Sequence, residues 1–207
     1  MKVRTILNIG LASTFVIIVG SISMIAWRGA PNRATSWALP VLGSVPDFSM
    51  IEASGSPVSR EDLLGKVWVA SFIFTRCAEA CPLLMKHEVH LQPQLPVRDD
   101  FRLVSFSVDP DWDTPKVLTE YARAFGVNRS NWLFLTGKKQ QLYHVAIDGF
   151  RLATLEADPA KEMPILHSTK LVLVDRHGAI RGYYDSNDDA ELQHLVRDVR
   201  RVLAERS

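Results

Sequence analysis

Cysteine is nearly absent: the 207 residues of the chain include two, Cys77 and Cys81. So few cysteines exclude a disulfide scaffold. Two thiolates are also too few for a structural zinc, which takes four ligands. Charge of one sign is lacking as well, since 24 Lys and Arg face 23 Asp and Glu with no long basic tract. That balance excludes the electrostatic footprint of a nucleic-acid-binding protein. No internal repeat or low-complexity tract is present. What remains is 47% hydrophobic and 23% charged, enough for one ordinary domain and a short extra segment. A core of that size needs no disulfide to hold it.

One stretch lacks charge altogether. From Ile6 to Trp27 there is no Asp, Glu, Lys or Arg, and Lys2 and Arg4 precede the run while Arg28 and Arg33 follow it. Its length is close to the roughly 20 residues of a membrane-spanning helix. The rival is a cleavable signal peptide, whose apolar core is shorter, about 7–15 residues, and ends in a small-residue cleavage site that is not evident here. We therefore expect a tail at 1–5, a retained anchor at 6–27, a linker at 28–45 and a domain at 46–207. Trp27 suits the far membrane interface. The flanking charges are nearly balanced and orient the anchor weakly. A short N-terminal anchor followed by one large domain normally leaves that domain across the membrane.

The domain alternates strand and helix signals. An edge strand is expected around Phe48–Ile51, and a capping box where Ser59 reaches forward and Asp62 back. Val67–Phe74 is almost wholly apolar, as a strand buried on both faces requires. Pro82–Leu91 reads as a helix, Leu103–Val108 as a second buried strand. Thr114-Pro115 is an N-cap followed by proline at the first helical position, and Gly126 closes that helix. A short strand at Asn131–Leu135 and a helix at Lys138–Val145 follow, then an irregular loop from Phe150 to Ser168. Thr169–Asp175 and Ala179–Tyr184 form a hairpin about His177-Gly178, and Asp188–Leu203 is a final amphipathic helix. Periodicity supports an α/β fold with a mixed sheet.

Both cysteines fall in Cys77-Ala78-Glu79-Ala80-Cys81, between the first long strand and Pro82. Pro82 disfavours helix at Cys81, so the pair is expected on a loop entering a helix N-terminus, where free N–H groups lower thiol pKa values. Arg76 adds positive charge there and Glu79 opposes it. Inert packing cysteines, a structural disulfide, a redox couple and a soft-metal site all remain open. Two thiolates suit Cu(I), with histidine as the most plausible third donor. Of six histidines, His177 is a turn residue, and His144 and His194 lie on helix faces. His87 and His90, one turn apart, belong to a polar helix face. His167 is the candidate that ends a loop just before a strand.

Three ordered blocks then resemble the Sco/SenC family. Phe72-Ile73-Phe74-Thr75-Arg76-Cys77-Ala78-Glu79-Ala80-Cys81-Pro82 is similar to its F-x-F-T-x-C-P-x-x-C-P signature. Ser107-Val108-Asp109-Pro110-Asp111-Trp112-Asp113-Thr114-Pro115 looks like its S-x-D-P-x-x-D-T-P block. His167-Ser168-Thr169 through Val174-Asp175-Arg176-His177-Gly178 looks like its histidine, strand and D-x-x-G turn. The resemblance implies a thioredoxin-like fold, a mixed central sheet flanked by helices, behind an N-terminal transmembrane helix. It also implies copper, as Cu(I) or Cu(II), on Cys77, Cys81 and His167. The implied protein is single-pass in the inner membrane with its domain in the periplasm, or in the intermembrane space of mitochondria. It would deliver copper to, or keep reduced the thiols of, the copper-bearing subunit of cytochrome c oxidase, and meet other copper carriers. Ala78 stands where the family usually has proline, and Leu166 where an aspartate often precedes the histidine. Asp113 is expected to do no more than support the cap at Thr114.

The rival class is a thiol-disulfide oxidoreductase with Cys77 and Cys81 as its catalytic pair, although C-x3-C is one residue longer than the thioredoxin-type C-x2-C. A peroxiredoxin fits poorly, because Thr75 is two residues before Cys77 where that family uses three. A copper or redox sensor is the third reading.

Overall fold

The structure is a computed structural model that describes residues 38–78, 80–152 and 168–205. Ala38–Ser207 form one compact unit. Its centre is an eight-stranded mixed sheet in the order β1-β8-β7-β4-β5-β6-β2-β3. The strands are β1 (Gly43–Ser44), β2 (Ser49–Glu52), β3 (Pro57–Ser59), β4 (Val67–Ile73), β5 (Phe101–Ser107), β6 (Trp132–Thr136), β7 (Lys170–Val174) and β8 (Ala179–Asp185). Four α-helices are described: α1 (Ala80–Leu91), α2 (Pro115–Ala124), α3 (Lys139–Tyr143) and α4 (Asp189–Ala204). A π-helical stretch, His144–Gly149, extends α3.

β4 and β5 pair in parallel, as do β5 and β6. Each connection is a helical crossover, α1 for the first and α2 for the second. Right-handed crossovers that step in one direction leave both helices on the same face of the sheet. β7 pairs antiparallel with β4 on the other side. Every residue of β4 is buried, which is why its sequence reads as a continuous apolar run rather than an alternating one. One face of β4 and β5 carries Trp68, Phe72 and Phe106, with the Phe72 and Phe106 rings stacked at 5.2 Å. Phe48 and Phe150 pack edge-on against this cluster.

Several boundaries differ from expectation. β2 lies between β6 and β3 and is no edge strand; the edge is β3, whose Pro57 suits a position with no ladder partner beyond it. Gly43 and Ser44, read from sequence as linker, pair with β8. The capping box is half formed: Asp62 Oδ2 accepts from the Ser59 amide at 2.7 Å and also takes up the Ser59 hydroxyl at 2.8 Å. The forward half is missing because the helical turn Glu61–Leu63 has Arg60, not Ser59, at its N-cap, and no side chain caps it. Thr114 does cap α2, accepting from the Val117 amide. The β7–β8 turn is held by Asp175, whose Oδ1 accepts from the His177 and Ala179 amides, and Gly178 takes the left-handed φ of +77° the turn demands.

Arg181 fastens the two ends of the unit. Its guanidinium is buried, donates to the Leu39 carbonyl, and pairs with Asp175 and with Glu205 just past α4. Among the described residues no helix is long and apolar enough to cross a membrane. The anchor expected at 6–27 lies outside them.

Candidate metal centre

β4 ends at Ile73, and the chain turns through Thr75 and Arg76 to Cys77 before entering α1. Cys77 is half-buried, Cys81 is 5% exposed, and both are free thiols. α1 starts at Ala80 rather than at Pro82, so Cys81 lies within its first turn and only Cys77 on the loop. Pro82 fits there because a first-turn residue has no helical partner for its N–H. The Cys77 amide donates to the Phe74 carbonyl, and the Cys81 amide donates to Cys77 Sγ at 3.3 Å. This last bond brings the loop sulfur back over the helix start.

The expected lowering of both thiol pKa values by the helix N-terminus does not hold for Cys81. Burial pushes its thiol up to about 12, outweighing a backbone hydrogen bond from Phe74, while Cys77 and Asp113 add to the rise. An apolar surround disfavours the charged form more than half a helix dipole favours it. Cys81 therefore keeps its proton at neutral pH until a ligand takes the proton's place.

The S-x-D-P-x-x-D-T-P block is the buttress of this loop. Asp113, fully buried, accepts from the Thr75 amide at 3.1 Å, from the Thr75 hydroxyl, and from the Ser107 hydroxyl at 2.6 Å. It thus ties the residue two before Cys77 to the end of β5, a role beyond the cap support expected of it. Arg76 pairs with Asp109 at 2.6 Å, and its guanidinium lies over the Trp112 ring at 4.9 Å. The Asp109 amide in turn donates to Ser107 Oγ. The motif carried a visible signal for this, two aspartates spaced about a tight turn. Spacing alone did not show that both reach across to another loop.

The histidines separate as follows. His144 pairs with Asp148 at 2.8 Å on an exposed helix face, and His177 and His194 are exposed. His87 and His90 border a groove with Asp189 and Gln193 of α4. His167, the expected third ligand, lies outside the described residues, as do Glu79 and Leu166. Described structure resumes at Ser168, two residues before β7. β7 runs antiparallel to β4, so its start lies toward the end of β4 from which the cysteine loop leaves. Among the described residues no group of three or more His, Cys, Asp and Glu side chains is placed to hold a metal ion.

Sequence missed two further polar groups near this site. Glu88 is an inward-facing residue of α1, together with Cys81, Leu84 and Met85, and it is 1% exposed. Its clue was a carboxylate two turns after Cys81 on the same stripe. Tyr121 of α2 has its hydroxyl buried without a hydrogen-bond partner.

A mixed sheet with a free cysteine pair at the β4–α1 junction defines a protein of thioredoxin-like architecture. The sequence model of the SCO1/SenC family matches residues 42–204, and the chain belongs to that family. A SCO1 protein homolog of Bacillus subtilis is 34% identical over 165 residues, covering 78% of this chain and 83% of its own. The structure of BsSco, described as a member of the Sco family of cytochrome c oxidase assembly proteins with a disulfide switch, is 30% identical. It superposes with a TM-score of 0.70 over 82% of this chain and 99% of BsSco. Arabidopsis thaliana ScoI, solved with copper bound, shares the fold at 24% identity, with a TM-score of 0.62 over 75% of this chain and 98% of its own.

Proposed function

We propose that this chain binds copper through Cys77, Cys81 and His167 and serves the assembly of the binuclear copper site of cytochrome c oxidase. The observation that carries the reading is the free thiol pair at the β4–α1 junction, one sulfur buried and the other half-exposed on a loop braced by Asp113. Two thiols with an imidazole suit a soft cation of low coordination number. The donor set fits copper, which is cargo here rather than a resident cofactor.

The chain's own residues determine how such a cargo enters and leaves. Cys81 must give up a proton to ligate, so uptake is coupled to pH. Cys77, nearer to solvent, is the sulfur a partner's thiolate can reach first, and ligand exchange would then proceed inward to Cys81. Oxidation of the pair to a disulfide would remove two of three donors, so redox state would govern loading. BsSco, with its disulfide switch and its family's role in oxidase assembly, supports this reading. So does the copper held by Arabidopsis thaliana ScoI.

The uncharged run at Ile6–Trp27 is best taken as a single membrane span, placing the domain on the far side of the inner membrane beside the oxidase subunit it would serve. In a host lacking this protein, oxidase activity should fall at low copper and recover with added copper or the wild-type gene. The Cys77→Ser gene should not restore it. Full rescue by Cys77→Ser would remove the cysteine pair from the function. Loss of disulfide reduction with oxidase unchanged would favour the oxidoreductase.

A further inference from the structure

The loop between β5 and α2 turns a large apolar side chain to solvent. Among the described residues Trp112 is the sole exposed aromatic, at 52%. A half-exposed indole keeps much apolar area available for burial against another surface. The backbone beneath it is well tied. The Trp112 and Asp113 amides both donate to the Asp109 carbonyl, the Thr114 amide donates to the Trp112 carbonyl, and Pro110 and Pro115 flank the turn. Trp112 also occupies one of the positions that the S-x-D-P-x-x-D-T-P block leaves open. Its indole is therefore a feature of this chain and not a demand of the motif.

Ser107 ends β5 and pairs with Ile73, which ends β4, so the loops that follow the two strands leave the sheet side by side. Arg76, the residue before Cys77, bridges them. Its Nε and Nη2 donate to a single oxygen of Asp109, and its guanidinium covers one side of the Trp112 ring. Nη1 has no acceptor among the described residues, and the side chain is 55% exposed. The surface beside the half-buried Cys77 thus presents an indole and a guanidinium with a spare donor, each holding the other in place. Trp and Arg are among the side chains most enriched where a few residues dominate the binding energy of an interface. Prior immobilisation lowers the entropy lost on docking.

We propose that Trp112 and Arg76 form the docking contact for the protein that takes copper from Cys77, a thiol-bearing acceptor with an apolar recess for the indole and a carboxylate for Arg76 Nη1. The inference rests on the copper reading above and names the surface through which its acceptor is recognised. Passage of the ion is a ligand exchange. A bond from Cu(I) to the acceptor's sulfur forms as the bond to Cys77 breaks, the acceptor thiol's proton passes through solvent to Cys77, and no electron moves. Exchange between two sulfurs requires the two proteins in contact, so the acceptor must cover the surface beside Cys77 where Arg76 and Trp112 stand. Asp111, the exposed acid of the same loop, pairs with Lys139 at 3.4 Å, which offsets its repulsion of an acidic acceptor.

The test uses the full chain loaded with Cu(I). The acceptor is the reduced, copper-free soluble domain of the cytochrome c oxidase subunit that bears the binuclear site. Transfer rate is followed against acceptor concentration. Trp112→Ala should raise the half-saturating concentration about tenfold and leave the limiting rate unchanged, with Trp112→Phe in between. Val97, 76% exposed, lies just before β5, at the end of the sheet away from the thiols, and Val97→Ser should match the wild type. Loss of Cu(I) to a small chelator needs no docking, so every variant should lose it at the wild-type rate. A wild type that takes up no Cu(I) overturns the copper reading and this role with it. Three results overturn this role alone: a loaded wild type that passes no ion to the oxidase domain, wild-type half-saturation in Trp112→Ala, or equal slowing toward domain and chelator.

Discussion

Replacing Asp113 by alanine should lower the free energy of unfolding by about 3 kcal/mol and free the cysteine loop. Asp113 is fully buried and accepts from both the amide and hydroxyl of Thr75 and from the Ser107 hydroxyl. Alanine would leave these donors without an acceptor, and each buried unsatisfied group costs about 1–3 kcal/mol. Water entering the vacated space would recover part of that. Because Thr75 is two residues from Cys77, the loss falls on the metal loop itself. Urea denaturation gives the stability change, and iodoacetamide should label Cys77 faster in the variant. Asp113→Asn should fall between the two, since its amide keeps one acceptor but turns an N–H2 toward donors. Unchanged stability and unchanged labelling would mean that the loop is held elsewhere.

The second large effect is on pH dependence. The Glu88 carboxyl is raised to about 8 from an unfolded value of 4.5, so the fold favours its neutral form. Its contribution to stability is complete below about pH 4.5 and is lost as pH rises through about 8. At about 1.4 kcal/mol per pKa unit the change is at most about 5 kcal/mol. The carboxylates held low, Glu52, Asp62, Asp100 and Asp185, act in the opposite sense and at lower pH, below the ordinary carboxylate range. Between pH 5 and pH 8.5 Glu88 should therefore dominate. The wild-type melting temperature should fall steadily across that window, and Glu88→Gln should flatten the curve. Parallel curves would show that Glu88 is hydrated or paired in solution.

What the sequence disclosed followed the physics that acts locally. Continuous apolar composition located β4 and β5, Thr114-Pro115 located the start of α2, and Gly178 located the β7–β8 turn. The cysteine pair was placed at a strand-to-helix junction, where it lies. Features set by distant contacts were hidden. β1 and β3 are two and three residues long and exist only because β8 and β2 offer them a ladder. Cys81 was expected to have a depressed pKa from its helix position, but the burial that reverses the shift comes from packing no local pattern encodes. Asp113 looked like a cap neighbour because its partners, Thr75 and Ser107, lie in other elements. Glu88 gave no sign of its burial, because its helix carries Lys86, His87 and His90 beside it.

The central claim is a copper site made by Cys77, Cys81 and His167. Cu(I) titration of the reduced chain against a competing chelator, in wild type, Cys77→Ser and His167→Ala, tests it most directly. One equivalent bound by the wild type, with binding lost in Cys77→Ser and much weakened in His167→Ala, is the expected result. Unchanged affinity and spectrum in His167→Ala would contradict it.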